Sequence, residues 1–316
     1  MTPSSRSKSR LPSRKPESGQ PFSLALEAIG TAWNIRTGDH LPPSSAIRLE
    51  GAIRARIEEF DATYSRFRQD SLVTRMASAA GRYRLPDDAG PMMSVHEQLY
   101  RLTDGLMTPL VGQLLADAGY DADYSLRPGR LSPAPAWDDV MTYAGGILTL
   151  QRPVLLDFGA AGKGYLADLV AGVMQAHGCQ DFVIDAGGDI VRRGGGRLRV
   201  GLEHPANTEQ AVGIAELGTG ALCGSAGNRR SWAGFHHIID PRRLESPRHI
   251  QALWVTAADG LTADALSTAL FFVAPDRLAE FDFEYAIINS DMSLQRSPGF
   301  PANFFTMSDS ASEEVS

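Results

Sequence analysis

Three short segments, far apart in the chain, constrain its fold more than any other feature. They are residues 155–168 (LLDFGAAGKGYLAD), 236–241 (HHIIDP) and 262–270 (TADALSTAL). Each is ambiguous alone, because glycine-rich turns, histidine pairs and short helices occur in many unrelated proteins. A fold that joins them would place a phosphate-approaching loop beside a proton acceptor and oxygen ligands for a metal.

The last segment predicts a helix with a carboxylate and a hydroxyl on one face. Residues 263–273 contain no glycine or proline and are rich in alanine and leucine, which favours a helix. Asp264 and Thr268 would then lie one turn apart, and such oxygen ligands suit Mg²⁺, which keeps water and substrate phosphates in its shell. The alternative is an ordinary helix start, with Thr262 as N-cap and Asp264 near the positive end of the helix dipole.

The first segment predicts a strand, a glycine-rich turn and a helix start. Residues 154–156 indicate a short buried strand, and three glycines at 159, 162 and 164 precede a helical pattern at residues 165–176. Such turns bring backbone groups close to phosphate or metal. The spacing excludes a P-loop, and the DFG sequence at residues 157–159 lacks the other kinase motifs.

The HHIIDP segment offers a candidate base. Ile238 and Ile239 predict a short strand, with His237 on one side and Asp240 opening a turn before a proline. Histidine is the usual proton acceptor near neutral pH. The alternative is a structural histidine followed by an ordinary turn aspartate.

In order and spacing, these segments resemble the ApbE family, FAD:protein FMN transferases that move FMN from FAD onto a threonine or serine of a target protein. The resemblance runs from about residue 28 to 305, because six further segments follow in family order. They are AIGTAWNI (28–35), which is similar to the family's N-terminal strand, YSRFRQDSLVTRM (64–76), TDGLMTPLVGQLL (103–115), IDAGGDI (184–190), GSAGNRRSW (224–232) and SPGF (297–300).

The resemblance implies a complete site. Mg²⁺ would be held by the backbone carbonyl of Ala160 and the side chains of Asp264 and Thr268, and His237 would be the catalytic histidine. FAD would be the substrate, and Lys163 would either stabilise charge on the leaving group or neutralise Asp157. The implied FAD contacts are Ile29, Phe67, Leu106, Met107, Thr108, Asp157, Lys163, Ser225 and Ile239.

Three departures from the family pattern bear on efficiency. Thr108 replaces an aspartate at the turn that contacts the flavin nucleotide, Ala226 stands where a glycine is expected, and Arg243-Leu244 replaces a Thr-Gly pair. We expect altered nucleotide affinity or positioning, since the implied metal side chains and His237 are intact.

The elements predict an α+β fold, and the resemblance implies an ApbE-like, T-fold-related arrangement of mixed, largely antiparallel sheets with packed helices. The expected domain covers residues 21–305, between a disordered basic tail (1–20) and a disordered acidic tail (306–316). Glycines at 194–196 predict a hairpin turn with solvated arginines on its flanks. Predicted helices cover residues 44–60 and 94–102, and predicted strands cover residues 147–150, 182–184, 198–202, 252–256 and 285–288.

Composition excludes several classes of protein. A net charge of −7 argues against a general nucleic-acid binder. The two cysteines are far apart and form no CxxC, so reduced thiols in the cytoplasm are the simpler reading. The basic N-terminal segment is followed by no apolar signal region, and no run approaches the roughly 20 apolar residues of a membrane span.

The activity that these features predict is Mg²⁺-dependent transfer of FMN from FAD to a threonine or serine hydroxyl of an acceptor flavoprotein, with release of AMP. Two alternatives remain open. The same site could activate water and act as an FAD pyrophosphatase giving FMN and AMP, or, with Thr108 weakening catalysis, it could bind FAD without turnover.

Overall fold

A computed structural model describes residues 19–228 and 230–305, and in this part of the chain it contains seven α-helices and sixteen β-strands. The helices are α1 (Pro43–Tyr64), α2 (Leu72–Met76), α3 (Gly90–Leu102), α4 (Gly112–Asp117), α5 (Trp137–Val140), α6 (Gly162–Ala176) and α7 (Gly260–Ala269). The strands are β1 (Gln20–Ala28), β2 (Thr31–Leu41), β3 (Gly81–Arg84), β4 (Met141–Ala144), β5 (Ile147–Leu150), β6 (Phe182–Ala186), β7 (Ile190–Arg193), β8 (Leu198–His204), β9 (Asn207–Leu217), β10 (Gly220–Ala226), β11 (Ser231–Trp232), β12 (Phe235–His236), β13 (Ile250–Ala257), β14 (Phe283–Asn289), β15 (Leu294–Arg296) and β16 (Ala302–Phe304).

The centre of the fold is an eight-stranded sheet in the order β1-β2-β6-β7-β10-β13-β14-β15. Every neighbouring pair in it is antiparallel. Its strands alternate between buried and exposed residues at its β1 end, where Trp33 and Ile35 of β2 are fully buried and Asn34 between them is exposed. This alternation is the sign of a sheet whose two faces have different surroundings.

Helices cover one face of the sheet and a small sheet covers part of the other. The largest core cluster joins α1, α3, α6 and α7 to the inner residues of β1, β2, β6 and β13. A second cluster fills the space between the central sheet and the three-stranded sheet β16-β9-β8, with Trp254 and Ile288 on one side and Leu202 and Leu217 on the other. The α+β prediction, with antiparallel sheets and packed helices, is confirmed.

The long periodic elements occur where they were predicted. The helix expected at residues 44–60 is α1, and the five expected strands lie within β5, β6, β8, β13 and β14. The helix expected at residues 94–102 is α3, which begins earlier, at Gly90, because Pro91 can occupy the first turn of a helix. The two predicted tails stay predictions, because residues 1–18 and 306–316 lie outside the described residues. Gln20 already belongs to β1.

Three short predictions were wrong. Neither segment forms a strand: residues 154–156 are partly to fully buried and Ile238-Ile239 are buried, but both are irregular. Their backbone groups bond to a helix end and a side chain instead of a neighbouring strand, because Val154 N donates to Met76 O and Ile238 N donates to the ring of His236. The glycines at 194–196 do not form a hairpin, since they lead from β7 in the central sheet to β8 in the outer sheet.

Of the four arginines beside this connection, Arg197 and Arg199 are exposed as predicted, but Arg192 and Arg193 are less solvated than expected. Arg192 is buried, and its Nη1 lies 2.5 Å from Asp181 Oδ1. Arg193 donates to the carbonyl of Gly220 at 3.1 Å. These two side chains therefore fasten the connection between the sheets, which is a structural role.

Candidate active site

One cavity of about 620 Å³ opens between the helices and the β1–β2 turn. Its walls come from segments spread along most of the chain. All thirteen site positions that the resemblance implies line it: Ile29, Phe67, Leu106, Met107, Thr108, Asp157, Ala160, Lys163, Ser225, His237, Ile239, Asp264 and Thr268. A cleft of this volume suits a ligand the size of a nucleotide.

The turn at residues 29–30 forms one edge of the cavity. AIGTAWNI was predicted as one strand, but the structure divides it between the end of β1, a two-residue turn and the start of β2. Ile29 has φ 44° and Gly30 has φ 74°, the conformation of a tight hairpin turn. Positive φ is rare for a β-branched residue such as Ile29 and costs free energy, which is typical of backbone held at functional sites.

A buried ion pair supports the loop between β5 and α6. Arg66 Nε donates to Asp157 Oδ2 at 2.5 Å, and the two side chains are only 2% and 12% exposed. Arg66 Nη1 also donates to Tyr120 O at 2.6 Å, and its guanidinium lies 4.2 Å from the centre of the Phe67 ring. The other oxygen of Asp157 accepts from Gly159 N at 2.7 Å, which tightens the glycine-rich turn.

Thr108 caps a single 3₁₀ turn on the cavity wall. Its Oγ1 accepts from Leu110 N at 3.2 Å at the start of the turn Pro109–Val111. Thr103 supports the same loop, because its hydroxyl accepts from Met107 N at 2.9 Å. The hydroxyl of Thr108 therefore preserves the cap that an aspartate could make, but it brings no charge into the cavity.

Helices α6 and α7 cross at two glycines. A Cβ on Gly164 would lie 2.0 Å from Gly260 O, and a Cβ on Gly260 would lie 2.5 Å from Gly164 O. Asp168 fastens the crossing, since its two oxygens accept from Gly260 N at 2.9 Å and from Leu261 N at 2.8 Å. Burial raises the pKa of the Asp168 carboxyl to about 6, against these two hydrogen bonds.

Helix α7 does not start as the alternative predicted, because Thr262 is not its N-cap. The N-cap is Asp259, whose side chain accepts from Thr262 N at 2.7 Å, and the helix begins at Gly260. Asp264 therefore lies beyond the first turn and is 1% exposed. A buried carboxylate at this position is not explained by a favourable helix dipole at the surface.

Where the two helices meet, one ammonium lies between two carboxylates. Lys163 Nζ is 2.8 Å from Asp189 Oδ2 and 3.3 Å from Asp264 Oδ1, and Gly164 N donates to Asp264 Oδ2 at 2.9 Å. Burial lowers the pKa of Lys163, but the two carboxylates outweigh it and raise the pKa overall. Burial and repulsion by Asp189 raise the pKa of Asp264. Of the two roles left open for Lys163, neutralisation of Asp157 is wrong, because Arg66 pairs with Asp157.

Three oxygen donors converge beside this cluster. Thr268 Oγ1 is 3.4 Å from Ala160 O, and Asp264 lies one turn before Thr268 on α7. Among the described residues there is no group of three or more His, Cys, Asp or Glu side chains placed to hold a metal. The donor set of one carboxylate, one hydroxyl and one carbonyl is instead the sparse oxygen set from which Mg²⁺ is bound together with water and phosphate.

His237 follows the small hairpin of β11 and β12. Its backbone N donates to Arg230 O at 3.2 Å, and its half-buried side chain lines the cavity. Asp240 is a turn residue, as the sequence allowed, because its Oδ1 accepts from Arg242 N and Arg243 N. Nearby, Ile239 packs into a cluster with Tyr120 and Trp232, which anchors the segment that carries the histidine.

The cavity also holds residues that were not singled out in the sequence. Arg66 and Tyr120 line it, and Arg230 Nη1 donates to the Tyr120 hydroxyl at 2.9 Å. Tyr124 stacks on Phe67, with ring centres 5.0 Å apart and planes 14° apart. Asp189 supports Lys163 from behind the wall. Arg66, Asp189 and Arg230 lie in segments that the resemblance covers, so a charged residue there was a signal, whereas Tyr120 and Tyr124 lie outside those segments.

Comparison with known proteins identifies the family. Residues 29–285 match the sequence profile of the ApbE family. A FAD:protein FMN transferase of Vibrio cholerae is 26% identical over 276 residues, which are 80% of this chain and 82% of that protein. The corresponding protein of Haemophilus influenzae is 23% identical over 82% of each chain. One from Rhodobacter capsulatus is 31% identical over 61% of this chain, and the match spans 40% of its own length.

Solved structures agree with this comparison. The ApbE protein of Thermotoga maritima superposes with a TM-score of 0.78 at 21% identity, over 88% of this chain and 97% of that one. The flavin transferase ApbE of Vibrio cholerae superposes with a TM-score of 0.72 at 21% identity, over 89% and 98%. These structures show the same fold, and together with the profile match they confirm the resemblance seen in the sequence. The chain belongs to the ApbE family.

Proposed function

We propose that this protein is a Mg²⁺-dependent flavin transferase that moves FMN from FAD to a threonine or serine hydroxyl of an acceptor flavoprotein. Membership of the family and the transferase names of its relatives support this activity. The observation that carries the proposal is the convergence of thirteen positions, from Ile29 to Thr268, on one nucleotide-sized cavity.

The chemistry of the donor set supports Mg²⁺ as the metal. Ala160, Asp264 and Thr268 would hold it through a carbonyl, a carboxylate and a hydroxyl oxygen. One lysine and two aspartates give the adjoining buried cluster a net negative charge, which favours a cation. When bound, Mg²⁺ would offset negative charge on the diphosphate oxygens of FAD.

In the proposed reaction His237 accepts the proton of the acceptor hydroxyl. The hydroxyl oxygen forms a bond to the phosphorus on the riboflavin side of FAD. The bond between that phosphorus and the bridging oxygen breaks, and AMP leaves with the bridging oxygen and its electron pair. Lys163, whose raised pKa keeps it charged, stabilises the leaving phosphate. The product is FMN joined to the acceptor through a phosphoester.

The remaining wall residues would bind and orient the nucleotide. Phe67 and Ile239 offer apolar surface to the flavin, and Asp157, fixed by Arg66, holds the glycine-rich turn in place. Thr108 keeps the turn conformation without a carboxylate. We therefore expect this chain to bind FAD in the family's manner with altered affinity.

A transfer assay tests the proposal. The purified protein is incubated with FAD, MgCl₂ and a co-expressed candidate acceptor, and the acceptor is examined by mass spectrometry while AMP is measured by chromatography. A gain of one FMN on the acceptor, absent with His237→Ala, supports transfer. AMP and free FMN without labelled acceptor would establish the pyrophosphatase instead, and FAD binding without AMP release would show a protein that binds but does not turn over.

The two further assignments concern place and partner. The two buried, free cysteines support a location in the cytoplasm, where thiols stay reduced. In the described part of the chain no helix has the length and apolar character needed to cross a membrane. The partner is a flavoprotein that presents its hydroxyl to the cavity mouth beside His237. Fractionation followed by immunoblotting tests the location.

A further inference from the structure

Asp189 is a buried carboxylate that faces Lys163 from behind the cavity wall. Its side chain is 2% exposed and lies 2.8 Å from Lys163 Nζ. It is not one of the residues that line the cavity, so it does not touch a ligand held there. Asp189 can therefore affect the site through its ion pair with Lys163 or through repulsion between its charge and that of Asp264.

The backbone holds this carboxylate firmly. Asp189 follows a tight turn between β6 and β7 in which Gly187 and Gly188 have φ 70° and 96°. Ala186 N donates to Asp189 O at 2.9 Å, and Gly188 N donates to Asp185 Oδ1 at 2.9 Å. A turn closed in this way leaves the Asp189 side chain little freedom, so its distance to Lys163 is set by the fold.

Lys163 is shared unequally between two carboxylates. Its ammonium is closer to Asp189, at 2.8 Å, than to the oxygens of Asp264, at 3.3 and 3.5 Å. A divalent cation on Asp264 would repel the ammonium, and a lysine that is only 26% exposed is stabilised by a counter-ion. Asp189 supplies this counter-ion on the side of Lys163 away from the cation.

We propose that Asp189 is a positioning residue that keeps Lys163 from capturing Asp264, so that the Asp264 carboxylate stays available to a divalent cation. Without Asp189, Lys163 would pair with Asp264 alone, and a cation would have to displace it. The inference rests on the metal assignment in the proposed function and adds to it the residue that sets cation affinity.

Binding of Mn²⁺ to the acceptor-free protein, followed by electron paramagnetic resonance with and without FAD, tests the inference without measuring turnover. Mn²⁺ takes the same oxygen ligands as Mg²⁺. Asp189→Asn should weaken Mn²⁺ binding about tenfold or more, within the range of couplings between contacting charges. Glu216→Gln, which removes one negative charge from strand β9 on the outer sheet, should leave the affinity unchanged.

A double-mutant cycle separates positioning from the loss of one negative charge. Lys163→Met should bind Mn²⁺ at least as tightly as the unaltered protein, because it removes the competitor for Asp264. In that background Asp189→Asn should change the affinity less than about threefold. If Lys163→Met does not fold, Lys163→Gln replaces it, since an amide can donate to both carboxylates.

The outcomes distinguish this inference from the proposed function. Equal weakening by Asp189→Asn with and without Lys163 would overturn positioning and leave only a charge effect. Unchanged affinity in Asp189→Asn would overturn it as well, while leaving the metal assignment intact. A wild-type protein that binds no Mn²⁺, with or without FAD, would refute the metal assignment itself and the inference with it.

Discussion

Replacement of Gly164 by alanine tests whether the crossing of α6 and α7 builds the site. The new Cβ would lie 2.0 Å from Gly260 O, 2.5 Å from Gly260 C and 2.7 Å from Asp264 Cβ. Contacts this short force the helices about 1 Å apart, and overpacking against backbone costs roughly 3 kcal/mol. Alanine recovers up to about 1 kcal/mol through its helix propensity, so Gly164→Ala should lose about 2 kcal/mol of unfolding free energy.

Gly172 is the matched control in the same helix. It is exposed, and a Cβ there meets no atom within 4 Å. Gly172→Ala should therefore gain about 0.5–1 kcal/mol, which puts the two variants about 3 kcal/mol apart in urea unfolding. Gly164→Ala should also weaken Mn²⁺ binding, because it moves Asp264 and Thr268 of α7 away from the Ala160 carbonyl that precedes α6. Wild-type stability and wild-type affinity in Gly164→Ala would refute the reasoning.

Four further predictions address single groups. Asp264→Ala should abolish Mn²⁺ binding and AMP release while circular dichroism shows a folded protein; retained activity at saturating FAD and Mg²⁺ would contradict the assignment. His237→Ala should slow transfer by about 10²–10⁴-fold with little change in FAD affinity by calorimetry, and loss of FAD binding would make it a nucleotide contact. Arg66→Met should cost about 3–5 kcal/mol in urea unfolding, because it leaves Asp157 buried without its counter-ion; a cost below about 1 kcal/mol would show that the pair is dispensable. Burial lowers the pKa of His96 to about 4, against the attraction of Asp157, so the folded protein cannot take up the proton that the unfolded chain binds below about pH 6.5. Above that pH the folded protein therefore loses no stability through His96, and below it the unfolding free energy falls towards pH 4, by about 2 kcal/mol at pH 5. His96→Leu should remove this loss when urea unfolding is compared at pH 5 and pH 7.5. His249→Gln, at an exposed histidine, should not remove it.

Residue patterns predicted elements whose apolar periodicity extends over several turns or alternations. The spacing of Ile47, Ile53, Ile57 and Phe60 predicted α1, and the last three are buried, whereas Ile47 is exposed and Leu49 is buried instead. The five predicted strands all lie within strands of the fold. The short apolar runs at residues 154–156 and 238–239 could not be assigned in this way. Burial makes such a run apolar whether or not a neighbouring strand completes its hydrogen bonds, and that neighbour is determined by tertiary structure.

The positions of the candidate site followed from the family resemblance, but its charge pairing did not. A sequence shows that Arg66, Asp157, Lys163, Asp189 and Asp264 are charged, not which of them meet. The turn before β7 places Asp189 beside Lys163, and the segment after α1 places Arg66 beside Asp157. Partners of this kind depend on contacts between distant segments, which no local pattern encodes.

The order of strands in the central sheet has a consequence for how the chain reaches its native state. Strand β2 lies between β1 and β6, so Thr37 cannot find its partner Phe182 until most of the domain has been synthesised. Until then the β1–β2 hairpin carries Trp33 and Ile35 beside a bare strand edge, which invites pairing with other chains. Long-range pairing of this kind also slows folding. We therefore expect variants that delay the pairing of β2 with β6 to aggregate during expression, even where the folded protein would tolerate the substitution.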